Sequence, residues 1–304
     1  MVCMNIVIAG GTGFLGRPLT ASLVRDGHDV ILLTRGAGPI AAGARAVAWD
    51  PADETGPWAA AIDGADAVVN LAGEPIAGKR WTAAHKQRIL DSRVRATRSL
   101  AAAIRGAARP PSVLVSGSAV GYYGALGDEP AAEDHPAGSD FLAQVCRQWE
   151  QEAARAASDR TRVAFVRTGI VLERDGGALP QMLPPFRFGA GGPVGSGRQY
   201  WPWIHRDDWV ALVQWAIAAP AATGAINATA PHPVTSREFA TALGRVMHRP
   251  AFLPAPAFAL RLLLGEMADA LLLSGQNAIP ARATRAGFTF RYRTVDEALG
   301  ALFP

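Results

Sequence analysis

Lysine is almost missing from this chain. Of 30 lysine and arginine residues in 304, only Lys79 and Lys86 are lysines. Chemistry that needs an ammonium group therefore has no residue to draw on beyond position 86. Cysteine is equally scarce: Cys3 and Cys146 alone give no disulfide framework and fit a reducing compartment. No block of like charge occurs, and the net charge of +4 gives no reason to expect nucleic acid or membrane binding. Long apolar runs are lacking too. The most apolar late stretch, Ala257 to Leu273, is broken by Arg261, Glu266 and Asp269, which denies it a membrane-spanning reading. The first apolar strand leaves no room before it for a signal peptide, so a cytoplasmic protein is expected. With 49% hydrophobic residues the chain is long enough to bury a large core.

Against these absences stands one dense stretch. The run Ile6-Val7-Ile8-Ala9 breaks into Gly10-Gly11-Thr12-Gly13-Phe14-Leu15-Gly16, and Leu19, Leu23 and Val24 follow at helical spacing. Strand, glycine turn and helix form the context of a dinucleotide-binding turn. A pyrophosphate reaches a helix N-terminus only where no Cβ blocks the backbone, which is the work expected of Gly10, Gly13 and Gly16. Thr12, Phe14 and Leu15 complete the turn. The spacing Gly-x-x-Gly-x-x-Gly resembles that of the extended short-chain dehydrogenase/reductase (SDR) superfamily.

A second buried strand, Asp29 to Leu33, ends at Thr34-Arg35. An acidic residue there would accept hydrogen bonds from the adenosine ribose. A hydroxyl followed by arginine suits a 2′-phosphate, so the cofactor expected is NADP. A third strand over Ala46–Asp50 would carry Trp49 and Asp50 to the adenine end. A fourth, Ala67 to Asn70, leads into Leu71-Ala72-Gly73, small residues that let a ribose and phosphates pass. The pattern from Thr82 to Arg105 is helical with Thr82 as cap, and Arg93 lies on it in Asp91-Ser92-Arg93. The fifth strand, Ser112–Val115, ends in Ser116-Gly117-Ser118-Ala119-Val120-Gly121-Tyr122-Tyr123-Gly124. The sixth, Arg162–Val166, leads into Arg167-Thr168-Gly169, which resembles the superfamily's Arg-x-Gly turn beside the nicotinamide.

Strands and helices in alternation predict an α/β fold, a doubly wound parallel sheet of Rossmann type. Gly176 to Gly197, rich in glycine and proline, reads as a long loop of the kind that forms a lid. Trp203 to Asp208 ends in a corner where Asp207 or Asp208 caps the next helix, with His205 structural or catalytic. Further helices are expected over Ser236–Met247, Ala257–Leu273 and from Thr294. Proline punctuation near His248-Arg249-Pro250 divides the chain into a domain at 1–248 and a small, mainly helical C-terminal domain at 249–304.

Taken together, the glycine turn, Gly73-Glu74-Pro75-Ile76, Lys79-Arg80-Trp81, Leu183 to Arg187, Gly191 to Gly197 and Trp203-Ile204-His205 resemble the YfcH-like epimerase family of extended SDRs, over nearly the whole chain. The resemblance implies a Rossmann domain preferring NADP, and Arg93 and Arg167 facing the cofactor. It also implies an active-site Tyr-x-x-x-Lys pair on the helix after the fifth strand, where a lysine lowers the pKa of a phenol. Here Phe141 and Val145 occupy those places, and no tyrosine lies between Tyr123 and Tyr200.

Three readings stay open. An oxidoreductase or epimerase would use Tyr122 or Tyr123 as proton donor and Ser118 to orient a carbonyl. A non-catalytic NADP(H) sensor or scaffold would need neither, and a lyase or isomerase would take its base from Glu74 or His205. Trp81, Tyr122, Tyr123, Phe141, Phe186, Trp201 and Trp203 suggest a pocket for a hydrophobic or flat small molecule. No metal cluster is expected, and the sequence is compatible with a homo-oligomer.

Overall fold

The computed structural model describes residues 3–36 and 40–303. Seven strands form one parallel sheet: β1 (Asn5–Ala9), β2 (Asp29–Thr34), β3 (Ala44–Ala48), β4 (Ala67–Asn70), β5 (Val113–Ala119), β6 (Arg162–Thr168) and β7 (Gly224–Ala228). Their spatial order is β7-β6-β5-β4-β1-β2-β3. Alternate residues face opposite layers, as the period of a strand requires. Ile6, Ile8, Val113 and Val115 pack with α1 (Gly16–Arg25) and a helix over Arg206–Ala218. Val7, Ile31, Val68 and Leu114 pack instead with α2 (Ala83–Gly106) and α3 (Phe141–Ala154). Helices on both faces make the sheet doubly wound, as the sequence predicts.

Several local departures have physical causes. The 176–197 stretch holds a helix, α4 (Leu179–Arg187), despite Pro184 and Pro185 inside it. Pro180 sits in the first turn, where a missing N–H costs nothing, and Phe188 N–H closes the far end onto the Pro184 carbonyl. α5 (Arg206–Ala218) is not capped by an aspartate. The His205 ring nitrogen Nδ1 accepts from Asp207 N–H at 3.1 Å, and Asp208 instead accepts from the backbone of Arg291 and Tyr292. α6 (Ser236–Met247) begins at a capping box of Thr235 and Glu238. The expected helix over Ala257–Leu273 is interrupted: α7 (Ala257–Leu264) stops at Gly265, whose φ of +63° no helix interior adopts, and a short helical stretch resumes to Leu273. α8 (Val295–Leu302) follows a second capping box at Thr294.

The C-terminal helices do not stand apart. Leu179, Leu183 and Phe186 of α4, Phe239 and Leu243 of α6 and Leu299 and Leu302 of α8 share one core with Trp201 and Trp203. These two tryptophans, together with Phe186, are therefore core residues, at 5% exposure or less. A two-residue parallel pairing of Asn277-Ala278 with Pro130-Ala131 ties the chain's last quarter to the segment after Tyr123.

Candidate functional site

In a doubly wound sheet the ligand crevice lies beyond the C-terminal strand ends, where the winding reverses. Here that point is between β1 and β4, which are paired directly. Gly10, with φ +82°, turns the chain so tightly against β4 that a Cβ would lie 2.7 Å from the Leu71 carbonyl. A Cβ on Gly16 would lie 2.2 Å from the Gly10 carbonyl oxygen, so only glycine lets α1 start this close to the turn. Gly13 is different. Its Cβ would meet a single neighbour, at 3.3 Å, so the outer face of the turn is open.

α1 carries no side-chain cap and no acidic residue in its first turn. Among the described residues, the N–H groups of Phe14 and Leu15 have no protein acceptor. An uncapped helix start behind an open glycine turn is a ready anion site. Thr12 gives its carbonyl to the Arg17 side chain at 2.8 Å. The Phe14 ring packs under Gly176 and Gly177, where added Cβ atoms would come within 2.5 and 2.9 Å of it, and so fastens the turn to the loop before α4.

The other expected cofactor residues fall around the same crevice. The Thr34 hydroxyl bonds the backbone of Gly36 at both its N–H and carbonyl. Arg35 is exposed at the end of β2, and no carboxylate pairs with it among the described residues. Trp49, expected at the adenine end, turns inward against Trp58 at 5.9 Å, and Asp50 accepts from Ala52 N–H. Leu71, Ala72 and Gly73 leave β4 through Asn70, whose side-chain oxygen accepts from Ala72 N–H. Arg93 lies behind Gly73, 3.1 Å from where a Cβ would stand. It donates to the carbonyls of Glu74 and Ile89, and its guanidinium lies over the Trp149 ring. Burial pulls its pKa down, partly offset by Cys146 and Glu74.

Arg167 is placed otherwise than the resemblance implies. It is 3% exposed, and its donors go inward to both oxygens of Glu150, to the Tyr123 hydroxyl and to the Glu133 carbonyl. Burial alone would lower its pKa, but the hydrogen bonds and charge of Glu150 more than offset that and hold it above the ordinary value. The Ser118 hydroxyl donates to the same Glu150 oxygen at 2.7 Å. Tyr123 donates to Asn227 at 2.7 Å, and its phenol is pushed up to about 12, chiefly by burial, against the opposing pull of Arg167. Ser118 and Tyr123 are thus brought together through one buried ion pair. Tyr122 stands at its edge: half-buried, its ring is 3.4 Å from the Arg167 guanidinium carbon, and its hydroxyl bonds no described residue. The nearby Cys146 thiol is also pushed up to about 12, by burial and by Glu150, which leaves it inert at neutral pH.

Glu150 is the residue that sequence reasoning missed. The available signal was a carboxylate on the buried stripe of α3 beside Cys146, Trp149 and Ala153. At the start of that helix, Phe141 packs edge-on against Trp81 at 5.2 Å, and Val145 joins a cluster with Trp81, Ile89 and Met267. Lys86 leans over Phe141 and pairs with Glu266 at 2.8 Å. A shallow groove of about 680 Å³ opens there, lined by Trp81, Lys86, Leu90, Phe141, Gln144 and Glu266. His205 lies elsewhere, buried against Tyr292 at 4.0 Å.

The sheet, its winding and the glycine cradle define a Rossmann-class α/β protein with an anion-accepting crevice at the reversal point. Comparison with known proteins is specific. A family model described as the NAD dependent epimerase/dehydratase family matches residues 6–228, and a domain of unknown function (DUF1731) matches residues 255–302. The chain belongs to this epimerase/dehydratase family, within the extended SDR superfamily. It is 44% identical to epimerase family protein SDR39U1 homolog, chloroplastic, from Arabidopsis thaliana, over 98% of this chain and 86% of the relative. Human epimerase family protein SDR39U1, solved with NADPH, superposes with a TM-score of 0.89 at 38% identity, covering 98% of this chain and 99% of that one. A nucleoside-diphosphate sugar epimerase from Corynebacterium glutamicum superposes at 0.81 with 35% identity, covering 99% of this chain and 59% of its own.

Proposed function

We propose that this chain binds NADP(H) at the β1–β4 crevice and carries out oxidoreductase or epimerase-type chemistry on a small apolar or flat substrate. The observation that carries the reading is the open, uncapped glycine turn at Gly10 to Gly16, whose free N–H groups suit a pyrophosphate. The NADPH held by the human relative supports the same choice. Arg35, exposed beside Thr34, supplies a guanidinium for the 2′-phosphate. Gly73 to Ile76 and Gly191 to Gly197 support the YfcH-like subgroup. Residues 249–304 are read as the small C-terminal domain, with α8 packed on α4 and α6, and a cytoplasmic location remains part of the reading. No described helix is long and apolar enough to cross a membrane.

The bound nicotinamide supplies hydride exchange. The chain's part is to bind, orient and protonate. Tyr122 is the proton donor in this reading, because Tyr123 spends its hydroxyl on Asn227. Ser118 gives its hydroxyl hydrogen to Glu150 and so offers a substrate only its lone pairs, positioning a substrate hydroxyl rather than a carbonyl, and Arg167 acts by fixing Glu150 and the two tyrosine rings rather than by touching the cofactor. The usual Tyr-x-x-x-Lys pair is absent, with Phe141 and Val145 in its place. That substitution favours a second reading, a non-catalytic NADP(H) sensor, since both positions are packed with apolar neighbours.

One measurement tests the cofactor and a second separates the two readings. Fluorescence titration with NADPH and NADH is expected to show NADPH binding at least about tenfold tighter, with Arg35→Ser erasing the difference. Equal affinities in the unaltered protein would remove Arg35 from its role. A panel of aldehydes, ketones and quinones is then expected to oxidise bound NADPH. Tight binding with no oxidation above blank would select the sensor.

A further inference from the structure

We propose that the face formed by α7 and the turn after α4 docks the protein on an anionic lipid surface. The six large apolar side chains that stand exposed among the described residues, Phe188, Phe252, Leu253, Phe258, Leu262 and Leu263, are between 51% and 87% exposed and all lie on this one region. The segments are joined. Leu253 N–H donates to the Gly191 carbonyl, Gly192 admits no Cβ because the Leu253 backbone is 2.0 Å from its place, and Ala255 bridges Val194. α7 buries none of its eight residues. It is held at its far end, where Leu264 packs beside Trp81 and Phe141, and Phe258, Leu262 and Leu263 are left to solvent. A contiguous apolar patch on a folded chain marks a contact surface.

Charge selects the occupant. From Gly176 to Arg206 and from Phe239 to Gly265 there is no aspartate or glutamate. Arg187 and Arg249 stand exposed at the rim, and neither pairs with a carboxylate among the described residues. Arg261 on α7 is paired with Asp269. An apolar face flanked by two unpaired guanidinium groups, Arg187 at the end of α4 and Arg249 ahead of α7, matches acyl chains beneath anionic head groups. A second copy fits poorly, because a two-fold contact through this face would set like charges against one another. The net charge of +4, spread over the whole chain without a block of like charge, does not reveal this grouping.

The test is co-sedimentation of the full chain with vesicles of phosphatidylcholine alone and with about a third phosphatidylglycerol. Pelleting with the anionic vesicles, weakened by salt, is expected. Phe258→Asp with Leu262→Asp should lower vesicle affinity by about tenfold or more while far-UV circular dichroism and NADPH titration stay unchanged. Arg187→Glu with Arg249→Glu should remove the preference for anionic lipid. Absence of pelleting on the anionic vesicles, equal pelleting on both kinds of vesicle, or pelleting indifferent to the apolar double substitution would overturn the proposal. So would a dimer in sedimentation velocity that the same double substitution abolishes. Failure of NADPH binding alone would strike the cofactor reading and leave this one standing.

Discussion

Removing the Glu150 carboxylate should damage this protein more than removing almost any surface charge. Glu150 is 8% exposed and Arg167 3%, and they are joined at 2.8 and 2.9 Å. Glu150→Ala leaves the guanidinium buried without a counter-charge, at a cost of about 3–5 kcal/mol. It also strips the Ser118 hydroxyl of its acceptor, a loss of about 1 kcal/mol or more. At roughly 2 °C per kcal/mol for a chain of this size, thermal unfolding should begin about 8–12 °C lower. The exposed pair Arg45–Asp29 is the control: Asp29→Ala should cost under about 1 kcal/mol. Replacing both buried partners, Glu150→Leu with Arg167→Met, should restore much of the loss, since an apolar pair of similar volume avoids the desolvation penalty. The assay is scanning calorimetry with urea titration of the three variants. A Glu150→Ala protein within about 1 kcal/mol of the parent, or a double variant no better than the single, would refute a buried, coupled pair.

Other expectations follow from single residues. Tyr122→Phe should lower the turnover of whichever carbonyl the panel identifies by about 10²–10⁴-fold while leaving NADPH affinity within a factor of about two, read by stopped-flow and fluorescence. Turnover unaffected by this change would move the proton donor elsewhere. His205 is buried and its pKa lies below the ordinary histidine value, burial outweighing the pull of Asp207, Glu173 and Asp208. Its neutral ring caps α5, so this contribution is complete above about pH 6.5 and is lost as pH falls below that value. His205→Asn keeps a capping acceptor and should flatten the stability change between pH 7.5 and 5.5, which urea titrations at each pH would show.

Much of the sheet was legible because buried parallel strands announce themselves as runs of Val, Ile and Leu, as in Ile6 to Ala9 and Asp29 to Leu33. β7 was not, since Gly224-Ala225-Ile226-Asn227-Ala228 carries a single β-branched residue. α4 was hidden by prolines that usually end helices. The glycine turn was readable because its backbone geometry requires residues without Cβ at Gly10 and Gly16, and the sequence records that need at both positions. The Ser118–Glu150–Arg167–Tyr123–Asn227 network was not. Its members meet across separations of 17 to 104 residues, and no local pattern encodes such pairing.

The central claim is that a 2′-phosphorylated dinucleotide lies across the ends of β1 and β4. A crystal structure of this chain soaked with NADPH tests it most directly. The account predicts pyrophosphate oxygens within hydrogen-bond reach of the Phe14 and Leu15 N–H groups, and the 2′-phosphate against the Arg35 guanidinium. Density for the nucleotide away from the Gly10–Gly16 turn, or a 2′-phosphate turned from Arg35, would contradict it.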